Sequence, residues 1–337
     1  MFNPWQDLLF FFLPVPIAFL MFACAQAFEA TNALLFALIA QEVLGLSSFH
    51  QGATWFHFLD KSNREHYFVG LKGFVNFLLL PLALFLATVF GEVYAPAFTF
   101  FIYVCWSLNH AVQQNIGVLL LYQNGKSEEA RIPRDIQVWS QRLMSLCFAL
   151  MFFRRILLPG TPLSDPFWIP IGICALAGIG YCIAYIVKLC GQLSSGKYLN
   201  VPSFMFWLVC VSYLIPFAFL GKNYDDALMI PLIVHWCQYI GINYIVAQRK
   251  YENGERVENL PMQKPVMLYA VSGFTLVAFV AILTYLQKEQ GESTLPGQLL
   301  KGALLGFGMV HYYLDGFIWR FRDKFPREAM LPYLVRR

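Results

Sequence analysis

Ten apolar runs, covering residues 7–28, 32–58, 67–91, 97–122, 138–158, 166–189, 203–220, 226–248, 265–286 and 297–320, decide what this chain can fold into. Crossing ~30 Å of hydrocarbon takes about 20 helical residues, and each run is near that length. Lipid offers no partner to a backbone N–H or C=O, so such runs must satisfy themselves as helices. The expectation is an all-α, polytopic membrane bundle of about ten transmembrane helices, forming a single transmembrane domain over residues 1–337. Only 13% of the residues are charged, against roughly 25% in soluble domains. Between the runs lie turn-forming stretches such as Gln123-Asn124-Gly125-Lys126, Pro159-Gly160-Thr161-Pro162 and Asn253-Gly254-Glu255.

Lys and Arg fall unevenly between the two sets of connections. One side carries Lys61, Arg64, Lys126, Arg131, Arg134, Lys188, Lys197, Arg249, Lys250, Arg256, Lys264 and the basic C-terminus from Arg320 onward. The other carries Arg154, Arg155, Lys222, Lys288 and Lys301. By the positive-inside rule both termini are expected in the cytoplasm, and the even-numbered helices run from outside to inside. The eight cysteines sit in or beside apolar segments without a Cys-x-x-Cys pair, which reads as small packing residues and not as a disulfide framework. Walker, Gly-x-Gly-x-x-Gly, Gly-x-Ser-x-Gly and His-Glu-x-x-His motifs are absent, and nothing supports nucleic-acid binding.

Four of the six histidines lie inside spans, namely His50, His110, His235 and His311, all on outside-to-inside helices. They stand ten residues before Asp60, thirteen before Gln123, fourteen before Arg249 and nine before Arg320. At ~1.5 Å per residue this is one layer about 14–21 Å from the inner ends. A lone intramembrane imidazole is usually a hydrogen-bonded packing residue; four at matching depth point to a shared metal. His57 is a further candidate ligand, although with His66 it brackets the loop Asp60–Glu65, where solvated histidines are the competing reading.

Each imidazole has polar company. Asp315 follows His311 by four residues, on the same helical face. Burying its charge would cost about 2.5–3.5 kcal/mol unless something pairs with it. It is a candidate ligand or orienter of His311, and with Glu42, which precedes His50 on an adjoining face, a candidate acid–base residue. Gln114 and Gln238 follow His110 and His235 at helical spacing and are candidate hydrogen-bond partners of a ligating imidazole. Tyr312 is expected to line the site with other aromatic residues, namely Trp55, Phe56, Phe74, Trp106, Tyr239, Tyr244 and Trp319. Imidazoles with a carboxylate and no clustered thiolates suit iron, manganese or copper, with zinc also open. Haem would use two of the histidines axially and leave the rest without a role.

This layout resembles the polytopic membrane non-haem iron oxygenases, in particular the bacterial carotenoid-cleaving dioxygenases of the Brp/Blh type, which hold iron by four histidines on transmembrane helices and act on β-carotene. The resemblance implies an enzyme of the bacterial inner membrane that oxidises or cleaves a lipid-soluble substrate with dioxygen, contacting membrane lipid and a redox partner at the cytoplasmic face. The ligand candidates rest on depth in the membrane and not on that resemblance. The alternative is a proton- or ion-coupled transporter using the same His and Asp residues, although matching halves with paired broken helices are not visible.

Overall fold

Between the turn-rich connections the apolar runs form helices. The computed structural model describes residues 3–27, 46–124, 126–157, 165–220, 224–251, 260–261 and 264–335. In chain order the helices are α1 (Pro14–Ala27), α2 (Leu46–His57), α3 (Lys61–Tyr67), α4 (Leu80–Tyr94), α5 (Pro96–Tyr122), α6 (Arg134–Leu157), α7 (Trp168–Ser194), α8 (Val201–Ser212), α9 (Ile215–Phe219), α10 (Tyr224–Tyr251), α11 (Pro265–Gln290), α12 (Leu295–Ile318) and α13 (Lys324–Ala329). π-Helical turns at Leu8–Phe12 and Val75–Leu79 lead towards α1 and α4. No strand occurs among the described residues, only an isolated bridge between Glu129 and Tyr198.

Seven helical segments among the described residues are long and apolar enough to cross a membrane: Pro4–Cys24, Gly70–Tyr94, Arg134–Ile156, Trp168–Ser194, Val201–Phe219, Ala227–Tyr251 and Pro265–Gln290. This is the helix inventory of a multi-pass membrane protein. Of the other expected spans, 32–58 lies partly outside the described residues, and α2 is its described part. The remaining two, α5 and α12, are 27 and 24 residues long but less apolar. They are the helices that carry His110, Gln113 and Gln114, and Lys301, His311 and Asp315. Burial is inverted relative to a soluble protein. Leu82, Phe90, Leu176, Val187, Phe274 and Ile282 are exposed while His50, Thr54, His57 and Asp315 are buried, as expected where the surrounding solvent is lipid.

The chain divides into two compact units, residues 1–37, 111–238 and 335–337, and residues 38–110 and 239–334. In the second unit α2 packs on α11 and α12 packs on α4. Backbone approach sets both contacts. A Cβ at Gly52 would lie 2.8 Å from the Gly273 Cα, and one at Gly302 would lie 2.7 Å from the Val89 Cα; only glycine fits, as in small-residue membrane helix pairs. The buried core between these helices includes Ala53, Phe56, Tyr239, Tyr251, Leu268 and Tyr269. Below it Asp60 accepts from Lys250 Nζ at 2.8 Å and from the Tyr251 hydroxyl at 2.7 Å, all three buried.

In the first unit α6 packs along α7 and against α8 and α9. Tyr185 stacks on Trp207 at 3.9 Å, and Trp207 Nε1 donates to Ser140 Oγ at 3.1 Å. Cys147 and Cys174 are buried there as free thiols among apolar neighbours. α10 continues through Pro231, whose carbonyl accepts from the Tyr213 hydroxyl.

Candidate metal centre

Three helices of the second unit present polar side chains at a spacing of four, the repeat that keeps residues on one face. On α2 these are His50 and Thr54, on α12 His311 and Asp315, and on α10 Tyr239 and Asn243. His50, Thr54, His311, Asp315 and Tyr239 are all 4% exposed or less. Buried polar groups must find partners, and here they find one another.

His311 Nε2 faces His50 Nε2 at 2.8 Å. The far nitrogen of each ring fixes what those facing atoms carry. His50 Nδ1 lies 3.1 Å from the Ser47 carbonyl. A carbonyl only accepts, so Nδ1 bears the proton and the neutral ring keeps a lone pair at Nε2. His311 Nδ1 lies 2.7 Å from Thr54 Oγ1. The Thr54 hydroxyl donates to Asp315 Oδ1 at 2.8 Å, so with Asp315 ionised the imidazole is the donor to Thr54. In that state both Nε2 atoms turn lone pairs towards one another, an arrangement that a shared proton or a cation relieves. Ligating histidines commonly donate their other N–H to a carbonyl or another oxygen, which fixes their tautomer.

Asp315 divides its two oxygens. Oδ1 accepts from Thr54 and, at 2.6 Å, from the Tyr239 hydroxyl, which itself accepts from Trp319 Nε1 at 3.2 Å. Oδ2 is buried and has no hydrogen-bond partner among the described residues; it lies 3.7 Å from His110 Nε2. His110, His311 and Asp315 each offer a ligand atom within 4.8 Å of the others. The unit thus brings together His110, His311 and Asp315 as a set able to hold a divalent metal, with His50 against His311. Tyr312 packs beside it, its ring 4.7 Å from that of His110 and its hydroxyl donating to the Tyr103 hydroxyl at 3.3 Å.

His57 is not drawn into this group. Its Nε2 meets Asn243 Oδ1 at 2.5 Å and its ring stands edge-on to Trp319 at 5.3 Å. His66 stacks on Phe325 at 3.7 Å. In the first unit His235 and Gln238 are buried on α10. Gln114 donates to the His235 backbone carbonyl at 3.1 Å and not to an imidazole. Glu42 lies outside the described residues. Of the expected aromatic lining, Tyr239, Tyr312 and Trp319 stand at the group, Phe56 belongs to the packed core, and Trp55 and Phe74 are exposed.

Sequence reasoning missed Thr54, Ser47 and the carboxylate-binding role of Tyr239. For Thr54 a signal was present, because a hydroxyl four residues after an intramembrane histidine shares its face. Tyr239 had only its distance from Asp315 in the sequence to hide it, and no spacing rule reaches across 76 residues. Comparison of the chain with protein-family models, with curated proteins and with solved structures finds no match.

Proposed function

We propose that this chain is an integral-membrane metalloenzyme that uses non-haem iron and dioxygen to oxidise or cleave a lipid-soluble substrate, of isoprenoid, carotenoid, quinone or acyl type. The observation that carries the reading is the pair of buried Nε2 atoms 2.8 Å apart, beside the His110, His311 and Asp315 group whose Asp315 Oδ2 has no hydrogen-bond partner among the described residues. His50, His110, His311 and Asp315 would hold the metal. Thr54 and Tyr239 hold Asp315 Oδ1 and so leave Oδ2 for the ion. When bound, iron supplies a position at which dioxygen is activated. The chain's own contribution is to fix the ligands, keep the site dry among helices and present the Tyr312 ring beside His110.

Imidazoles with one carboxylate and no thiolate are a donor set that suits iron, manganese or copper, with zinc also open. The topology that accompanies this reading has about ten spans with both termini in the cytoplasm, in a bacterial cytoplasmic membrane, and a redox partner reaching the basic inner face.

The test is dioxygen uptake by iron-loaded protein in detergent, supplied with polyisoprenoid, carotenoid, quinone or fatty-acyl lipids in turn. Uptake that requires both iron and one lipid class, and that is lost in His311→Ala, supports the reading. Proton flux in vesicles without metal-dependent uptake would replace it with a transporter, in which the two imidazoles share a proton in place of a metal.

A further inference from the structure

We propose that the paired phenols of Tyr103 and Tyr312 form a binding subsite for an acceptor oxygen. The lipid-soluble substrate then carries a carbonyl at one end and is not a pure hydrocarbon. What is done to that substrate rests on the metalloenzyme reading above; how it is held does not.

The two hydroxyls satisfy each other poorly. Tyr312 donates to the Tyr103 hydroxyl at 3.3 Å, longer than the ~2.7–2.8 Å usual between hydroxyls. Each phenol brings one proton, and this contact uses one of the two. With Tyr312 as the donor the Tyr103 proton is left, and among the described residues no acceptor receives it. A tyrosine hydroxyl in apolar surroundings usually finds a partner, and lipid tails offer none. A ligand oxygen supplies one, whereas a hydrocarbon cannot accept. Two phenols carry no formal charge, so a neutral carbonyl suits them better than an ionised headgroup.

Placement ties the pair to the candidate centre. Tyr103 and His110 stand seven residues apart on α5, nearly two turns, and so share a face at a separation of about 10 Å. Tyr312 bridges the two levels, its ring 4.7 Å from that of His110 and 5.9 Å from that of Tyr103. α12 makes room for this. Gly308 precedes Tyr312 by four residues, and a Cβ there would lie 2.9 Å from the Tyr103 ring and 3.0 Å from its hydroxyl oxygen. Tyr103 is only half-buried, and its neighbours Phe101 and Ile102 are exposed, so α5 reaches the lipid-facing surface at this level. Aromatic walls with a few placed polar groups are the common construction of small-molecule sites. An oxygen held at Tyr103 leaves the ligand's tail, and not its polar end, level with His110.

The experiment uses full-length protein in detergent, stripped of metal. Three probes of similar tail length are titrated by calorimetry: a decyl-benzoquinone, methyl decanoate and decylbenzene. The quinone or the ester is expected to bind about 3–10-fold more tightly than decylbenzene, the worth of one hydrogen bond. Tyr103→Phe is expected to remove that preference and leave decylbenzene binding unchanged. A carbon-13 label at the probe's carbonyl gives a second readout. Its infrared stretch should move to lower wavenumber on binding wild type and stay unshifted with Tyr103→Phe. A shift with the quinone alone assigns a ring carbonyl, and with the ester alone an acyl carbonyl; both support the subsite. Decylbenzene that binds wild type as tightly as both carbonyl probes overturns the proposal. So does a Tyr103→Phe protein that keeps the preference and the shift. Should Tyr103→Phe fail to fold, the wild-type preference and infrared shift still decide. Tyr103-dependent carbonyl binding in a chain that takes up no iron contradicts the metalloenzyme reading and not the subsite. Iron uptake without any carbonyl preference does the reverse.

Discussion

His50 and His311 meet through the same atom, Nε2 to Nε2, at 2.8 Å, although 261 residues separate them in the chain. Either a shared proton or a bound cation can join two such atoms, and the fold holds them together from two helices. On the metal reading the cation takes that place.

If those rings share one ion with His110, removing any of them should remove most of the metal. His50→Ala, His110→Ala and His311→Ala are each expected to lose most bound metal, and double variants to add little, because ligands of one site act as a unit. His57→Ala should keep its metal, since His57 bonds to Asn243 instead. Elemental analysis of each purified variant reads the outcome; three singles with full occupancy would dissolve the shared site.

Asp315 separates an enzyme from a proton-coupled transporter. As a ligand it contributes charge and a fixed position, so Asp315→Asn should lower metal affinity about 10–100-fold. Asp315→Glu, longer by a methylene, should also bind poorly. A transporter needs a group that titrates, so there Asp315→Glu would stay active and neither variant would alter metal content. Metal titration of both variants decides between these.

The long helices were legible from apolar length alone, because lipid leaves the backbone no other arrangement. What the chain order could not supply was partners from distant segments. His57 shares a face with His50, yet it bonds Asn243, 186 residues away. Thr54 reads locally as a helix-tolerated hydroxyl, and only the approach of α10 and α12 makes it the junction of four polar atoms. Aromatic residues misled for a related reason: in a chain with 33 Phe, composition does not say which ring faces a site, which packs a core and which meets lipid.

The buried Asp60–Lys250 pair gives a prediction on stability. Burial works to raise the Asp60 carboxyl, but the Lys250 ammonium and hydrogen bonds from Lys250, Tyr251 and Ser62 outweigh it and hold it below the ordinary carboxylate range. A depressed folded value means the stabilisation is present above the unfolded pKa of about 3.9 and is lost as pH falls through the lower folded value. Asp60→Asn leaves Lys250 charged and buried, which typically costs about 3–5 kcal/mol. Thermal unfolding in detergent should show a lower midpoint for Asp60→Asn and should lack the acid-dependent loss of wild type. Asp60→Asn combined with Lys250→Met should cost less than the two single changes added together.

Helix seating gives another. Gly52→Ala would place a Cβ 2.8 Å from both the Gly273 Cα and the Ser272 carbonyl oxygen, and neither backbone atom can swing aside. Overpacking of this kind typically costs about 1–3 kcal/mol. Because α2 carries both His50 and Thr54, its displacement should also weaken metal binding, measured by titration on the same preparation. Unchanged stability together with unchanged metal affinity would mean that α2 is free to shift.

The central claim is that the buried histidines and Asp315 hold a metal, and metal content tests it most directly. Wild-type protein purified in detergent without chelators, analysed by elemental mass spectrometry beside an optical spectrum, is expected to carry about one iron or manganese per chain and no haem band. Protein that carries no transition metal, and takes up none when iron, manganese, copper or zinc is supplied, would contradict the account.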